Sequence, residues 1–310
     1  HNRGEACPQA SEDRREQHRR VRRAEGHPVA GANALEAQPG HEGFTQRVRV
    51  EFAPAGGVIY TDAIDNSAGV DCSDHEVNIK IALGAAVAAG TLTLEQRNEV
   101  LADMTDEVGE LVLDDNRAQG LALAIARRQA LPMVNVHSRY LNTLESEGWL
   151  NRALEFLPTD RQIAERQSAG TGLTTPEFSV LLAYTKTANV AEMVRSDLPD
   201  DAYLEPDLVR YFPQRLQREF HDQILGHRLR REIVATQVCN QLVNLSGISF
   251  DHRLSEETGL GVVEITRAWV AVRDIFGLVE LWEQVDALGG TVKLDTQLEL
   301  FLELRTMAER

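Results

Sequence analysis

The sequence predicts a short α/β segment followed by a large all-α helical domain. Residues 44–52 alternate apolar with polar side chains, and residues 57–64 are rich in β-branched and aromatic residues; both patterns are typical of strands. Beyond residue 90, apolar side chains recur at three- and four-residue intervals, which is the period of an amphipathic helix. These observations divide the chain into an irregular or disordered segment at 1–40, an α/β segment at 41–90 and an all-helical domain at 91–310.

The first forty residues differ in composition from the rest of the chain. Residues 11–25 are dense in charge, and residues 26–43 are rich in Gly, Ala, Pro and His without apolar periodicity. Such a segment buries too little apolar surface to offset the entropy lost on ordering. Its arginines suggest a nucleic-acid-binding arm, but the acidic residues between them favour a solvated helix face or a disordered tail.

Charge and cysteine content argue against several classes of function. With 32 basic and 48 acidic residues the formal net charge is −16, the opposite of what binding to a phosphate backbone requires, so we expect no nucleic-acid partner. The three cysteines are isolated and odd in number, so we expect neither disulfides nor a metal site. No apolar run is long enough to cross a bilayer and no signal peptide is found, so we expect a cytoplasmic protein without a membrane partner.

Helical segments follow one another after the two expected strands. The first is expected from Asp74 to about Ala89. The residues Thr174-Thr175-Pro176-Glu177 predict a second helix start, because threonine caps free amides, proline suits the first turn and an acid complements the helix dipole. Further helical structure is expected at 94–131, with possible breaks near Asp114–Asn116, and helices are expected at 221–246 with Gly247 as its end, at 261–276 and at 293–308.

The densest group of polar residues lies at 62–76, DAIDNSAGVDCSDHE. Small residues in this stretch would let a ligand approach the backbone, beside amide, hydroxyl and carboxylate groups. Two structural alternatives stay open, because Ser73 and Glu76 match a capping box and Asn66 suits a turn. His75 is either a candidate general base or a partly exposed helix residue.

Several blocks of the sequence resemble the large NAD-specific glutamate dehydrogenases of bacteria. The first comprises FTQRVRVEF and TDAIDNSAGVDCSDHEVNIKI within residues 44–81, and the later blocks follow in the order found in that family. These later blocks are LEFLPTDRQIAER, GLTTPEFSVLLAYTK, SDLPDDAYLE, YFPQRL, HRLRREIVATQVCNQLVN and EETGLGVVEITRAW. The resemblance covers about residues 41–310, and it implies that 41–90 is the C-terminal end of a Rossmann-type dinucleotide-binding domain.

The resemblance also implies roles for individual residues. The superfamily pattern N-x-[AG]-G-V-x-x-S-x-x-E matches the stretch that begins at Asn66 and ends at Glu76. The residues that it would place at NAD are Asn66, Ala68, Gly69 and Val70. Ser73 would bind the side-chain carboxylate of glutamate, assisted by the free amides and positive dipole of a helix start. The implied cofactor is NAD, the implied small-molecule partners are L-glutamate and 2-oxoglutarate, and the full-length protein is expected to be a homo-oligomer.

The groups that carry the chemistry in this family have no counterpart in the sequence. The catalytic lysine and aspartate and the Gly-rich pyrophosphate turn would precede residue 44, nothing in 1–43 replaces them, and His41 stands where the family has an asparagine. A frameshifted gene and a truncated chain with a divergent tail are the two explanations. We therefore predict no catalytic residue here and no activity in glutamate oxidation for the chain alone. The alternative function is a non-catalytic helical module for assembly or regulation.

Overall fold

The computed structural model describes residues 45–53 and 59–309, and within these ranges it contains helices and no strands. The α-helices are α1 Gln46–Phe52, α2 Asp62–Asp65, α3 Ser67–Ala88, α4 Leu94–Asp103, α5 Thr105–Arg128, α6 Val134–Ser146, α7 Asp160–Ser168, α8 Thr175–Arg195, α9 Glu205–Arg210, α10 Gln214–Glu219, α11 His221–Leu225, α12 Arg230–Ser246, α13 Phe250–Thr258, α14 Val262–Phe276, α15 Leu278–Asp286 and α16 Leu294–Glu309. The expected irregular segment 1–40 lies outside the described residues. None of the described helices is both long and apolar enough to cross a membrane.

The two strand predictions near the start of the described chain are wrong. Helix α1 occupies the first of them, and Thr45 caps it by accepting a hydrogen bond from the Val48 amide at 3.4 Å. The alternation is misleading because Val48 stays 41% exposed, whereas Arg49, on the opposite face of the expected strand, is only 1% exposed. In the second stretch, residues 59–61 have no regular structure, α2 follows, and residues 57–58 lie outside the described range.

Helix α3 begins at Ser67, earlier than the expected start at Asp74. The small and polar residues that resemble a ligand loop therefore form its first two turns, after Asn66 has ended α2. The prediction that Ser73 caps a helix is wrong, because its hydroxyl lies inside α3 and donates to the Gly69 carbonyl at 3.3 Å. Asn66 forms the turn between α2 and α3, and every residue of this stretch after Asn66 belongs to α3.

The helix start predicted at Thr174 is confirmed. Glu177 accepts the Thr174 amide at 2.7 Å and the Thr174 hydroxyl at 2.8 Å, and Pro176 lies in the first turn of α8. The helices expected at 261–276 and 293–308 correspond to α14 and α16.

Two expected long helices are each divided. The stretch 94–131 breaks at Met104 into α4 and α5, which ends at Arg128. The possible break near Asp114–Asn116 is wrong, because these residues lie inside α5. The stretch 221–246 breaks between α11 and α12, where His227 turns away to hydrogen-bond the Asn78 carbonyl at 3.0 Å through Nε2. The tertiary contact with α3 thus interrupts a periodic pattern, while Gly247, with φ at 109°, ends α12 as expected.

Helices α8 and α12 pack together at the centre of the fold, with α5 and α14 on their flanks. Fully buried side chains from three of these helices form the middle of the core: Leu123, Phe178, Leu181, Leu182, Val238 and Val243. A smaller apolar cluster joins α16 to α5 through Ile125, Leu298 and Phe301. Helix α3 packs on α5 by one face only, through Ile79, Leu83 and Ala86, and this arrangement leaves its other face exposed.

Candidate functional site

The exposed face of α3 carries three of the five residues predicted to bind ligand. Asn66, Val70 and Ser73 are four and three residues apart, so they fall on one side of the helix start. All three are exposed, and Val70 presents 61% of its surface although it is apolar. Of the other two, Gly69 is also exposed and Ala68 is half-buried. An apolar side chain beside an amide and a hydroxyl is a suitable wall for a ligand with both kinds of surface.

Gly69 leaves room for the Asn66 side chain at the start of α3. A Cβ added at residue 69 would lie 2.8 Å from Asn66 Oδ1, closer than van der Waals contact allows. Any larger residue would therefore displace the Asn66 amide from its position over the first turn. By contrast, a Cβ at Gly84 on the same helix would meet nothing within 4 Å.

Two side chains that the sequence did not indicate hold the start of α3 in place. Asn116 of α5 donates from Nδ2 to the Ser67 hydroxyl at 2.8 Å and to the Ile64 carbonyl at 3.3 Å. The buried Arg49 of α1 donates to the Tyr60 carbonyl at 2.6 Å and to Asp65 at 3.0 Å, and it also contacts Asp62. Sequence patterns could not reveal these residues, because each is polar in a helix and its partners are distant in the chain.

The buried side of the α3 start carries a polar cluster, which comprises Asp71, His75, Asp115 and Lys186. One ligand atom from each of the first three lies within 4.8 Å of the others, and His75 Nε2 is 3.8 Å from Asp71 Oδ1. Burial, followed by the charge of Asp115, raises the pKa of Asp71 to about 7. Burial also raises the pKa of Asp115, and it lowers the pKa of Lys186 to about 8. Both carboxyl groups therefore bind a proton more readily than an ordinary aspartate, and the lysine beside them opposes this effect.

His75 lies deep in this polar cluster, stacked on Tyr211 with ring centroids 4.3 Å apart and an interplanar angle of 11°. Burial lowers its pKa to about 4, so the imidazole is neutral at pH 7. Both ring nitrogens lack a hydrogen-bond partner among the described residues. The expectation of a partly exposed histidine is wrong, since α3 begins earlier and turns this position towards α5 and α9–α10.

The spacing of Asp71, His75 and Asp115 is compatible with a cation, although the sequence indicates no metal ligands. Lys186 already supplies positive charge to both carboxyl groups, because its ammonium lowers the pKa of each. We interpret the polar cluster as a pair of carboxyl groups with raised pKa values beside one lysine. It shares the first turns of α3 with the exposed face, since Asp71 follows Val70 in the chain.

Two family models match the chain. The model for the C-terminal part of glutamate dehydrogenase matches residues 170–310, and the model for the catalytic domain of bacterial NAD-glutamate dehydrogenase matches residues 12–126. The second match contains all five predicted ligand-binding residues and all but the last two residues of α5. The matches favour a dehydrogenase over a separate non-catalytic module.

Curated relatives give the same result. The chain is 48% identical over 271 residues to the NAD-specific glutamate dehydrogenase of Pseudomonas aeruginosa and 45% identical over 271 residues to that of Halomonas elongata; each alignment covers 87% of this chain and 17% of the relative. The enzyme of the same name from Mycobacterium tuberculosis is 42% identical over 261 residues, covering 84% of this chain and 16% of the relative. The chain thus spans 16–17% of the length of these curated relatives. It belongs to the bacterial NAD-specific glutamate dehydrogenase family.

Proposed function

We propose that the exposed face of α3 forms one wall of the active site of an NAD-dependent glutamate dehydrogenase. The reaction converts L-glutamate, NAD and water to 2-oxoglutarate, ammonia and NADH. The single observation that supports this most is that Asn66, Val70 and Ser73 share an exposed helix face within the catalytic-domain match. Residues 41–90 would then be the end of the catalytic Rossmann-type domain, and 91–310 the helical domain.

The residues at the start of α3 fit a nicotinamide. Gly69 leaves the Asn66 amide in place over the first turn, and the exposed Val70 provides an apolar contact for one ring face. The exposed Asn66 has an amide that can donate to and accept from the carboxamide of the cofactor. NAD, when bound, accepts the hydride from the α-carbon of glutamate. The role of these residues is to hold and orient the ring.

Ser73 is the proposed contact to the substrate. Its hydroxyl is exposed and makes one internal bond, at 3.3 Å to Gly69, which it can exchange for a carboxylate oxygen. A hydrogen bond to a charged partner contributes roughly 1.5–3 kcal/mol. The helix dipole assists less than expected from the sequence, because Ser73 lies beyond the first turn of α3.

The substrate role is tested by Ser73→Ala in a full-length family member that carries this segment. Ser168→Ala is a matched control, since Ser168 is an exposed serine in α7 whose hydroxyl also donates to a carbonyl four residues earlier, at 2.9 Å. We expect the Michaelis constant for glutamate to rise about 10- to 100-fold for Ser73→Ala, with the NAD dissociation constant unchanged. Equal Michaelis constants in the two variants would remove Ser73 from the substrate site.

The cofactor role is tested by Gly69→Ala against Gly84→Ala in the same protein. The first substitution places a Cβ against the Asn66 amide, and the second places one in open space on the same helix. We expect weaker NAD binding for Gly69→Ala alone, measured by fluorescence titration. If both variants bind NAD like the parent, the proposed contact between the α3 start and nicotinamide is wrong.

The proposed domain boundary, assembly and location each have a direct test. The proposed boundary at residue 90 separates α3 from α5, although these two helices pack together. Cleavage near residue 90 during limited proteolysis would support the boundary. Self-association of the full-length protein, which the family resemblance implies, is tested by light scattering. A cytoplasmic location is tested by cell fractionation.

A further inference from the structure

One side-chain amide on α5 spans the turn at which α2 ends and α3 begins. Asn116 Nδ2 donates to the Ile64 carbonyl of α2 at 3.3 Å and to the hydroxyl of Ser67, the first residue of α3, at 2.8 Å. Asn66, which the proposed function assigns to the nicotinamide, lies between these two partners in the chain. The same side chain therefore holds both ends of the turn.

The restraints on Asn66 itself are local. Its backbone has φ −111° and ψ 16°, so it belongs to neither helix, and its side chain makes no capping hydrogen bond to α3. Its amide donates to the Asp62 carbonyl at 2.9 Å and its carbonyl accepts from the Gly69 amide at 3.1 Å. These bonds join Asn66 only to its neighbours in the chain. The orientation of its side chain relative to the core therefore depends on how the two helix ends are attached to α5.

The side of α3 that meets α5 carries Ser67, Asp71 and His75. These residues are spaced four apart, so they fall on one face of the helix. Two successive residues of α5 contact this face, because Asn116 bonds to Ser67 and Asp115 lies beside Asp71. The bond from Asn116 joins two neutral groups, so it does not depend on pH as the contact between the two carboxyl groups does.

We propose that Asn116 is a positioning residue for the cofactor, because its hydrogen bonds to Ile64 and Ser67 fix the Asn66 amide over the first turn of α3. The positioning role rests on the proposed function, in which the start of α3 binds NAD. Asn116 is half-buried and acts through the turn between α2 and α3, without touching the cofactor. Since α5 follows the proposed boundary at residue 90, the helical domain supplies a residue that shapes the cofactor site.

The positioning role is tested by Asn116→Leu in the full-length protein that carries this segment. Leucine is close in size to asparagine but has no amide, so both hydrogen bonds are lost and no charge is added. We expect the NAD dissociation constant to rise about five- to tenfold, the scale of one neutral hydrogen bond. The Michaelis constant for glutamate should change by less than about twofold, because Ser73 lies more than one turn beyond Ser67. An unchanged NAD dissociation constant would overturn the proposal.

Asn78→Leu is the matched control on α3 itself. Asn78 is also half-buried, and its Nδ2 donates to the Tyr211 hydroxyl at 2.8 Å, the same distance as from Asn116 to Ser67. It lies about three turns further along the helix than Ser67. We expect Asn78→Leu to lower the melting temperature about as much as Asn116→Leu, but to bind NAD like the parent. Equal losses of NAD binding would indicate a general loosening of α3 and would reject the positioning role.

Ser67→Ala tests the other partner of the same hydrogen bond. It removes the hydroxyl that accepts from Asn116 and leaves the bond to Ile64, so we expect a smaller rise in the NAD dissociation constant, about threefold. The double variant should bind NAD no more than about twofold weaker than Asn116→Leu, because both substitutions break one shared bond. Additive effects would overturn the proposal. If Asn116→Leu does not fold, Ser67→Ala decides alone, and parental NAD binding by Ser67→Ala then rejects the positioning role.

Gly69→Ala distinguishes a failure of this role from a failure of the proposed function. Weaker NAD binding by Gly69→Ala together with parental binding by Asn116→Leu would reject the positioning role and leave the proposed function in place. Parental binding by Gly69→Ala would reject the proposed cofactor contact, and the positioning role with it.

Discussion

Helices α3 and α8 are nearly equal in length, at 22 and 21 residues. They differ in how fully the buried ionisable side chains Glu177 of α8 and Asp71 and His75 of α3 are hydrogen-bonded. In α8, the fully buried Glu177 accepts two hydrogen bonds from Arg166, at 2.7 and 2.9 Å, in addition to those from Thr174. In α3, Asp71 and His75 have buried polar atoms without a partner in the described residues. A satisfied charge network can hold a fold together, whereas unpaired titratable groups collect at functional sites. The comparison therefore sets the satisfied Glu177 network at the start of α8 against the Asp71–His75 cluster of α3, to which α8 contributes Lys186 further along its length.

The largest expected effect comes from breaking the satisfied network of α8. Glu177→Ala removes the capping box and leaves Arg166 without its carboxylate, so we expect a loss of about 3–5 kcal/mol in the free energy of unfolding. Glu165→Ala is the control, because Glu165 is an exposed carboxylate in an ion pair with Arg161 and should change stability by less than about 0.5 kcal/mol. Urea unfolding measures both. Equal losses would show that Glu177 is no more structural than a surface residue.

The next effect is a pH dependence that originates in α3. The pKa of Asp71 is raised from 3.8 to about 7, mainly by burial and then by Asp115, so the folded state retains a proton that the unfolded state releases. The contribution of this group to stability is therefore complete at low pH and is lost as pH rises from about 4 towards 7. Each pKa unit corresponds to about 1.4 kcal/mol, which sets the scale of the change.

Asp71→Asn should remove this dependence. We expect the variant to gain stability relative to the parent at pH 8, and we expect the gain to shrink at pH 5. Glu110→Gln, at an exposed carboxylate of α5, should track the parent at both values. Melting curves across this pH range provide the measurement. A constant difference between Asp71→Asn and the parent at all pH values would show that the pKa of Asp71 is not raised in the folded state.

A smaller effect is expected at a buried charge that pairs with a helix end. Arg305 of α16 donates to the Asn244 carbonyl at 3.0 Å and to the Leu245 carbonyl at 2.9 Å, where α12 ends. Arg305→Met should leave these carbonyls unsatisfied and cost about 1–3 kcal/mol. Arg161→Met, at an exposed arginine of α7, is the control. Chemical denaturation that separates the two variants would extend the pattern of satisfied charge from α8 to the C-terminal helices.

The smallest effect is expected at the exposed face of α3. Ser73 does not cap the helix, so Ser73→Ala should change the free energy of unfolding by less than about 0.5 kcal/mol, while the same variant impairs glutamate use in the full-length protein. Thermal melting and kinetics on one preparation test both parts. A variant that melts several degrees early would show that the serine has a structural role after all.

Local patterns predicted the helical part well and the start of the described chain poorly. The capping box at Thr174 and the helix end at Gly247 depend on hydrogen bonds between residues a few positions apart. The neighbouring sequence is therefore enough to predict both helix ends. The strand expected around Arg49 failed because that arginine is buried by partners 11 to 16 residues away. The exposed face of α3 was predicted through resemblance, and the buried polar cluster behind it was not predicted at all.

The sequence by itself determined the predominantly helical class, the helix start at Thr174, the helix end at Gly247 and the family to which the chain belongs. Only the tertiary structure decided that α3 starts at Ser67, that His227 breaks a helix to reach α3, and that Asp71, Asp115 and Lys186 meet. The physical reason is the separation in sequence over which each interaction acts. Periodicity and capping act over a few residues, whereas burial and charge pairing act between residues that only the packing of α3, α5 and α8 brings together.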